Sequence, residues 1–151
     1  MKIYLASDHA GFELKEHIRK YLKDNGYDIS DEGVYNNERS NWAEYGAKGA
    51  DAVSKDPENS RGIIICGSGI GMSMVSNKHK NVRAALCQDE YSAEMSRRHN
   101  NSNVLNMGAR VIDKEKAVRI TEVWLKTPFE GGRHQERLDY LTKEVEEKKF
   151  K

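Results

Sequence analysis

Cysteine is scarce in this chain of 151 residues: Cys66 and Cys87 stand alone, in no metal-type doublet and too few for a disulfide framework. Two free thiols in a reducing compartment are the expectation. Net charge is also lacking. Lys and Arg number 25 against 24 Asp and Glu, spread along the whole length, for a formal +1. Such a balance excludes a global field that would attract nucleic acid or a membrane surface, and leaves a small charged metabolite as the ligand class. Long apolar runs are missing too. Nothing approaches the roughly 20 residues of a membrane span, and Met1 to Ala6 is too short for a signal peptide, so a soluble cytoplasmic protein is expected. No linker, repeat or low-complexity block divides the chain, and its length suits one domain with a real core.

What is present is a regular alternation. Ile3 to Ala6 is a short apolar run ending at Ser7-Asp8-His9, after which Phe12, Leu14, Ile18, Tyr21 and Leu22 recur at helical spacing up to Asn25-Gly26. Tyr27 to Glu32 is a second strand candidate, followed by a polar segment and a helix from Trp42 to about Lys55. After the turn Asp56 to Ser60, Gly62-Ile63-Ile64-Ile65-Cys66 is the most apolar run, as expected of a central parallel strand buried on both faces. A helix through Met72 to Ser76, a strand Val82 to Leu86, a helix from about Glu90 to Arg98 and a strand Val104 to Met107 continue the pattern. Two helices close it, about Lys114 to Leu125 and about 133 to 149, separated by Pro128 to Gly132. Five apolar runs alternating with helices predict an α/β fold: a single-domain, Rossmann-like three-layer αβα sandwich with a five-stranded parallel sheet. In doubly wound sheets ligands bind beyond the C-terminal strand ends, where Asp8-His9, Cys66 to Gly71 and Gln88-Asp89 would meet.

The loop Cys66-Gly67-Ser68-Gly69-Ile70-Gly71 is the sharpest feature. Three glycines after a buried strand let the backbone turn and expose its N–H groups, and a following helix adds its positive end, so an anion belongs there. A dinucleotide fingerprint would need glycine at position 72, and a cysteine phosphatase loop would need arginine there; the chain has Met72, and it has no Gly-Lys-Ser/Thr of the Walker type. The remaining functional reading is that Cys66 moves a proton while loop N–H groups stabilise an enolate-like oxyanion. The alternative is a small buried hydrophobe at a strand end. The triple-glycine context favours the first for Cys66; Cys87 lacks that context and is read as core.

Asp8-His9 offers a carboxylate and an imidazole suited to a sugar hydroxyl or phosphate, although capping alone would explain Asp8. Arg97 to Asn103 is a polar stretch closing a helix, which is equally compatible with dipole compensation. Arg133 and Arg137, at i and i+4 after Gly131-Gly132, can point one way and clamp a dianion, or can simply form an exposed basic face. Arg110 is a further separate basic position. His17 and His79 sit among lysines and carry no assigned role.

Ser7-Asp8-His9-Ala10-Gly11, Cys66-Gly67-Ser68-Gly69-Ile70-Gly71, Ser96-Arg97-Arg98-His99-Asn100, Asn103-Val104-Leu105, Gly108-Ala109-Arg110 and Gly131-Gly132-Arg133-His134 together resemble the type B ribose-5-phosphate isomerases and, more distantly, the galactose-6-phosphate isomerase subunits. The resemblance covers nearly the whole chain. It implies an isomerase without cofactor or metal that interconverts ribose 5-phosphate and ribulose 5-phosphate through an enediolate. By the same resemblance Cys66 would carry the proton between C1 and C2, and the loop N–H groups of Gly67, Ser68, Gly69, Ile70 and Gly71 would hold the oxyanion. His99, with Asp8, would open the furanose ring, Asn100 would bind a sugar oxygen, Ser68 would contact the reacting end, and His9, Arg110, Arg133 and Arg137 would hold the phosphate. It also implies a homodimer, or dimers paired into a tetramer. The site would lie between subunits, with His99, Asn100, Arg110, Arg133 and Arg137 reaching the other chain's Cys66 and the C-terminal helix packing on the partner. Two departures stand out. Ser68 replaces a common Thr, and Asn41-Trp42-Ala43 replaces a common Asp-Tyr-Pro near the expected mouth of the site.

Overall fold

The computed structural model describes residues 1–149; Phe150 and Lys151, the last two positions of the charged tail, lie outside the described residues. Five strands form one sheet: β1 (Lys2–Ser7), β2 (Asp28–Asp31), β3 (Ser60–Cys66), β4 (Ala84–Leu86) and β5 (Val104–Gly108). Their order is β2-β1-β3-β5-β4 and every pairing is parallel. The predicted three-layer α/β architecture is therefore present. β1 and β3 are neighbours although the chain leaves β1 toward β2 and re-enters the sheet at β3 on the other side, so the switch point lies between them.

Strand alternation decides which helix covers which face. Ile3, Leu5, Ile63, Ile65, Leu105 and Met107 point to one side, where α1 (Phe12–Asp24), α4 (Glu90–Arg98) and α5 (Lys114–Lys126) cover them with Leu14, Ile18, Leu22, Ala93, Ala117, Ile120 and Trp124. Ala6, Ile64, Cys66 and Val104 point to the other, under α2 (Trp42–Lys55) and α3 (Ile70–Ser76), which contribute Ala50, Val53 and Met72. Each fully buried Ile or Leu contributes roughly 1.5–3 kcal/mol through lost water contact. Side-chain caps start three of these helices where the sequence changes from polar to periodic: Asn41 accepts from Ala43 N–H, Asp89 from Ser92 N–H and Asp113 from Lys116 N–H.

Three elements differ from the sequence expectation. β2 is confined to Asp28–Asp31, and β4 to Ala84–Leu86, because Arg83 N–H donates to the Asn103 side chain rather than to a strand. The expected helix from about 133 to 149 is α6 (Arg133–Tyr140), a π-helical stretch Leu141–Glu146 and a last turn α7 (Glu147–Lys149). It runs past the β4 edge, leaving a groove of about 430 Å³ lined by Val82, Ala84, Leu138, Leu141 and Val145.

Candidate active site

Asp8 follows β1, Cys66 ends β3 and Arg110 follows β5, so three neighbouring parallel strands deliver them to one edge of the sheet. They line a cleft of about 320 Å³ together with His9, Ala10, Trp42, Gly67, Ser68, Gly71 and Val111. Cys66 is 5% exposed, and its Sγ accepts a hydrogen bond from Gly69 N–H at 3.2 Å. That bond requires the loop to double back, which Gly69 permits at φ 80°. A backbone donor is thus aimed at the sulfur from within the glycine loop. Ser68 turns its Oγ toward Ile70 N–H at 3.2 Å and is itself exposed to the cleft. Cys87, by contrast, lies under α4, and burial pushes its thiol up, as an inert core cysteine requires.

Asp8 is both part of a turn and part of the cleft lining. Its Oδ1 accepts from Gly11 N–H at 3.0 Å, capping the turn into α1, and it still lines the cleft. His9 is oriented by Ser40: its own N–H donates to Ser40 Oγ at 2.9 Å, while Ser40 N–H donates to His9 Nδ1 at 3.2 Å. With Nδ1 an acceptor, the neutral ring carries its proton on Nε2, a donor suited to a phosphate oxygen. Arg110 is held by its own N–H to the Gly67 carbonyl at 2.9 Å, and its Nη1 lies 3.2 Å from where a Gly67 side chain would begin. Trp42 forms one wall: a Cβ at Gly71 would lie 2.9 Å from its indole ring.

His99, Asn100, Arg133 and Arg137 are not brought to this cleft. α4 starts beyond the C-terminal end of β4 and returns the chain to the opposite edge, where His99 caps its last turn. There His99 stacks on His134, with centroids 4.3 Å apart and an interplanar angle of 12°, and its Nε2 lies 3.7 Å from Glu130 Oε1. Arg133 and Arg137 are exposed on α6, where Arg137 Nη1 reaches the Arg133 carbonyl at 3.5 Å; Asn100 faces the groove beside the C-terminal helix. Arg110 thus lies with its own chain's Cys66 instead of with the second group, because Gly108 pairs with Cys66 in the β3–β5 register.

Sequence reasoning missed His134 and Glu130 as individual residues, although His134 closes the Gly-Gly-Arg-His stretch. His134 is 7% exposed and its Nε2 has no hydrogen-bond partner; burial first, then the charges of Arg133 and the neighbouring His99, push its pKa below the ordinary histidine range. Donor atoms of His99, Glu130 and His134 lie within 4.8 Å of one another, a grouping that could hold a metal ion.

A parallel α/β sheet whose switch point presents a thiol, a glycine loop, a carboxylate and a guanidinium fits the class of a sugar-phosphate isomerase. The chain belongs to the Ribose/Galactose Isomerase family, whose model matches residues 3–141. It is 42% identical over 141 residues to ribose-5-phosphate isomerase B of Escherichia coli, covering 93% of this chain and 94% of that one. Its structure superimposes on the Clostridium thermocellum ribose-5-phosphate isomerase B with a TM-score of 0.94 at 43% identity, covering 98% and 99% of the two chains. The Mycoplasma genitalium enzyme, solved with bound ribulose-5-phosphate, gives a TM-score of 0.93 at 37% identity, covering 97% of each.

Proposed function

We propose that this chain interconverts D-ribose 5-phosphate and D-ribulose 5-phosphate, with Cys66 as the base. In the open-chain aldose, the Cys66 thiolate takes the proton from C2 and returns it to C1, while the proton on O2 passes to O1 and the charge of the intervening enediolate rests on the loop N–H groups. The observation that carries this reading is the Gly69 N–H to Cys66 Sγ bond at 3.2 Å in a cleft that also holds Asp8, His9 and Arg110. Relatives named for the same reaction, one with ribulose-5-phosphate bound, support the substrate.

The second half of the machinery comes from a partner subunit. His99 opens the furanose ring with the partner's Asp8 side of the cleft, Asn100 binds a sugar oxygen, and Arg133 and Arg137 complete a phosphate clamp begun by His9 and Arg110. What supports this is the topology: His99 leaves the sheet at the edge opposite Cys66, so one chain cannot assemble both around one sugar. A homodimer is the smallest assembly that can.

Cys66→Ala is expected to lower turnover by about 10²- to 10⁴-fold with unchanged unfolding, and to abolish deuterium incorporation at the sugar's C2 in proton NMR. Retained full activity would remove Cys66 as the base. Trp42 favours keeping a second reading, an isomerase for an allose, galactose or tetrose phosphate, since its indole shapes the cleft wall against Gly71. A panel of these phosphates beside ribose 5-phosphate decides between the two by kcat/KM.

A further inference from the structure

The edge of the sheet opposite the Cys66 cleft concentrates positive charge. Arg61 near the start of β3, Arg83 just before β4 and Arg97 in the last turn of α4 line a small cavity of about 110 Å³ with Asn101 and Asn103, and exposed Glu58 stands at its rim. Arg97 is 5% exposed. Its Nε donates to the Thr127 carbonyl at 3.3 Å and its Nη1 to Asn101 Oδ1 at 3.0 Å and to the Ser102 carbonyl. Arg83 Nε donates to the Asn101 carbonyl at 2.8 Å, and Arg61 Nη1 to the carbonyls of Trp124 and Leu125, each at 3.3 Å.

Every one of those acceptors is neutral. Ion pairs of arginine in this chain involve Arg19, Arg98 and Arg119; Arg61, Arg83 and Arg97 form none among the described residues. The hydrogen bonds use one nitrogen each of Arg61 and Arg83 and two of Arg97, leaving further donors of each guanidinium for a ligand. Burial, and then the like charges of Arg61 and Arg83, push Arg97 down to about 10, and burial lowers Arg61 and Arg83 as well. Three half-buried to buried cations around one cavity face only the exposed rim carboxylate of Glu58 and, near Arg83, the carboxylate of Glu146, with no ion pair formed among the described residues, so the site is electrostatically incomplete.

We propose that this cavity binds a small oxyanion of the inorganic phosphate type, separately from the sugar-phosphate cleft. No residue of the cavity lines that cleft. The volume of about 110 Å³ suits a free phosphate ion rather than a whole sugar phosphate. Bidentate guanidinium contacts match the geometry of phosphate oxygens. Arg97 precedes His99 by two residues and its guanidinium holds Asn101 and Ser102, so an anion drawn onto Arg97 tightens the segment that carries His99 and Asn100. The site is thereby a means for phosphate to order one half of the catalytic machinery.

The test is thermal unfolding with inorganic phosphate against chloride at matched ionic strength, in four proteins. At phosphate about tenfold above its Kd the wild type is expected to gain about 3 °C. Arg133→Gln/Arg137→Gln should keep that gain, and in this background a phosphomonoester such as glycerol phosphate should give less than free phosphate. Arg61→Gln/Arg83→Gln, added to the same Arg133→Gln/Arg137→Gln background so that the sugar-phosphate clamp does not contribute, should lose it. Because removing two arginines can loosen the fold, Glu58→Gln supplies an independent arm: it leaves all three guanidinium groups in place, removes the competing carboxylate at the rim, and should tighten phosphate roughly two- to fivefold. A gain that persists when Arg61→Gln/Arg83→Gln is added to that background, no gain in the wild type, a phosphomonoester as effective as phosphate, or unchanged affinity in Glu58→Gln overturns the proposal.

Discussion

His134 illustrates how a residue acquires a property from its neighbours. Its folded pKa lies below the unfolded value near 6.5, so the native chain binds fewer protons than the unfolded one as the pH falls through that value. Stability from this source is present above pH 6.5 and is lost on acidification. The wild type is therefore expected to lose more stability between pH 7.5 and 5.5 than His134→Asn, measured by urea midpoints across that range. Equal slopes would show that His134 is not the group responsible. Cys66 and Asp8 are the converse case, residues whose placement could be read directly, since a glycine loop after an apolar run and a polar pair after another announce themselves by local pattern. His134 could not be read that way, because its stack on His99 joins segments 35 positions apart.

At the level of elements, the sheet and most helices follow from periodicity and caps, and the departures have local causes. The joint between α1 and β2 does not follow from them. Lys15 falls on a helix face with no marked sequence signal, yet its side chain is fully buried. Its Nζ donates to Asp31 Oδ1 at 2.5 Å and to the Val34 carbonyl at 2.7 Å, between the rings of Phe12 and Tyr35. That pair fastens the segment after β2 against the end of β1, where Ser7 exchanges backbone hydrogen bonds with Gly33 and Val34 just before Asp8. Lys15→Met retains the apolar packing but leaves the Val34 carbonyl without its side-chain donor and Asp31 Oδ1 with Gly33 N–H alone, and should cost about 2–3 kcal/mol in chemical unfolding. Adding Asp31→Asn should recover part of that loss. If the double variant is no more stable than the single one, the pair is not what fastens the joint.

The whole molecule poses a different question, because each chain carries half of the proposed machinery at each edge of its sheet. Cys66→Ala and His99→Asn homodimers should both be inactive. After unfolding and refolding in equal amounts, half of the dimers are hybrids with one intact site, so about a quarter of wild-type activity should return. No recovery would place Cys66 and His99 in the same chain's site and dismiss the shared-site reading. Composition and pattern alone determined the parallel α/β class, the helix starts and the glycine loop that carries the Cys66 thiol, since those depend on side chains close in sequence. Only the tertiary structure decided that Arg110 stands beside its own Cys66 while His99, Arg133 and Arg137 do not, and that three arginines converge behind them. Those outcomes depend on strand order and on the direction in which α4 returns, and the β2-β1-β3-β5-β4 order is a property of long-range pairing that no local run of residues encodes.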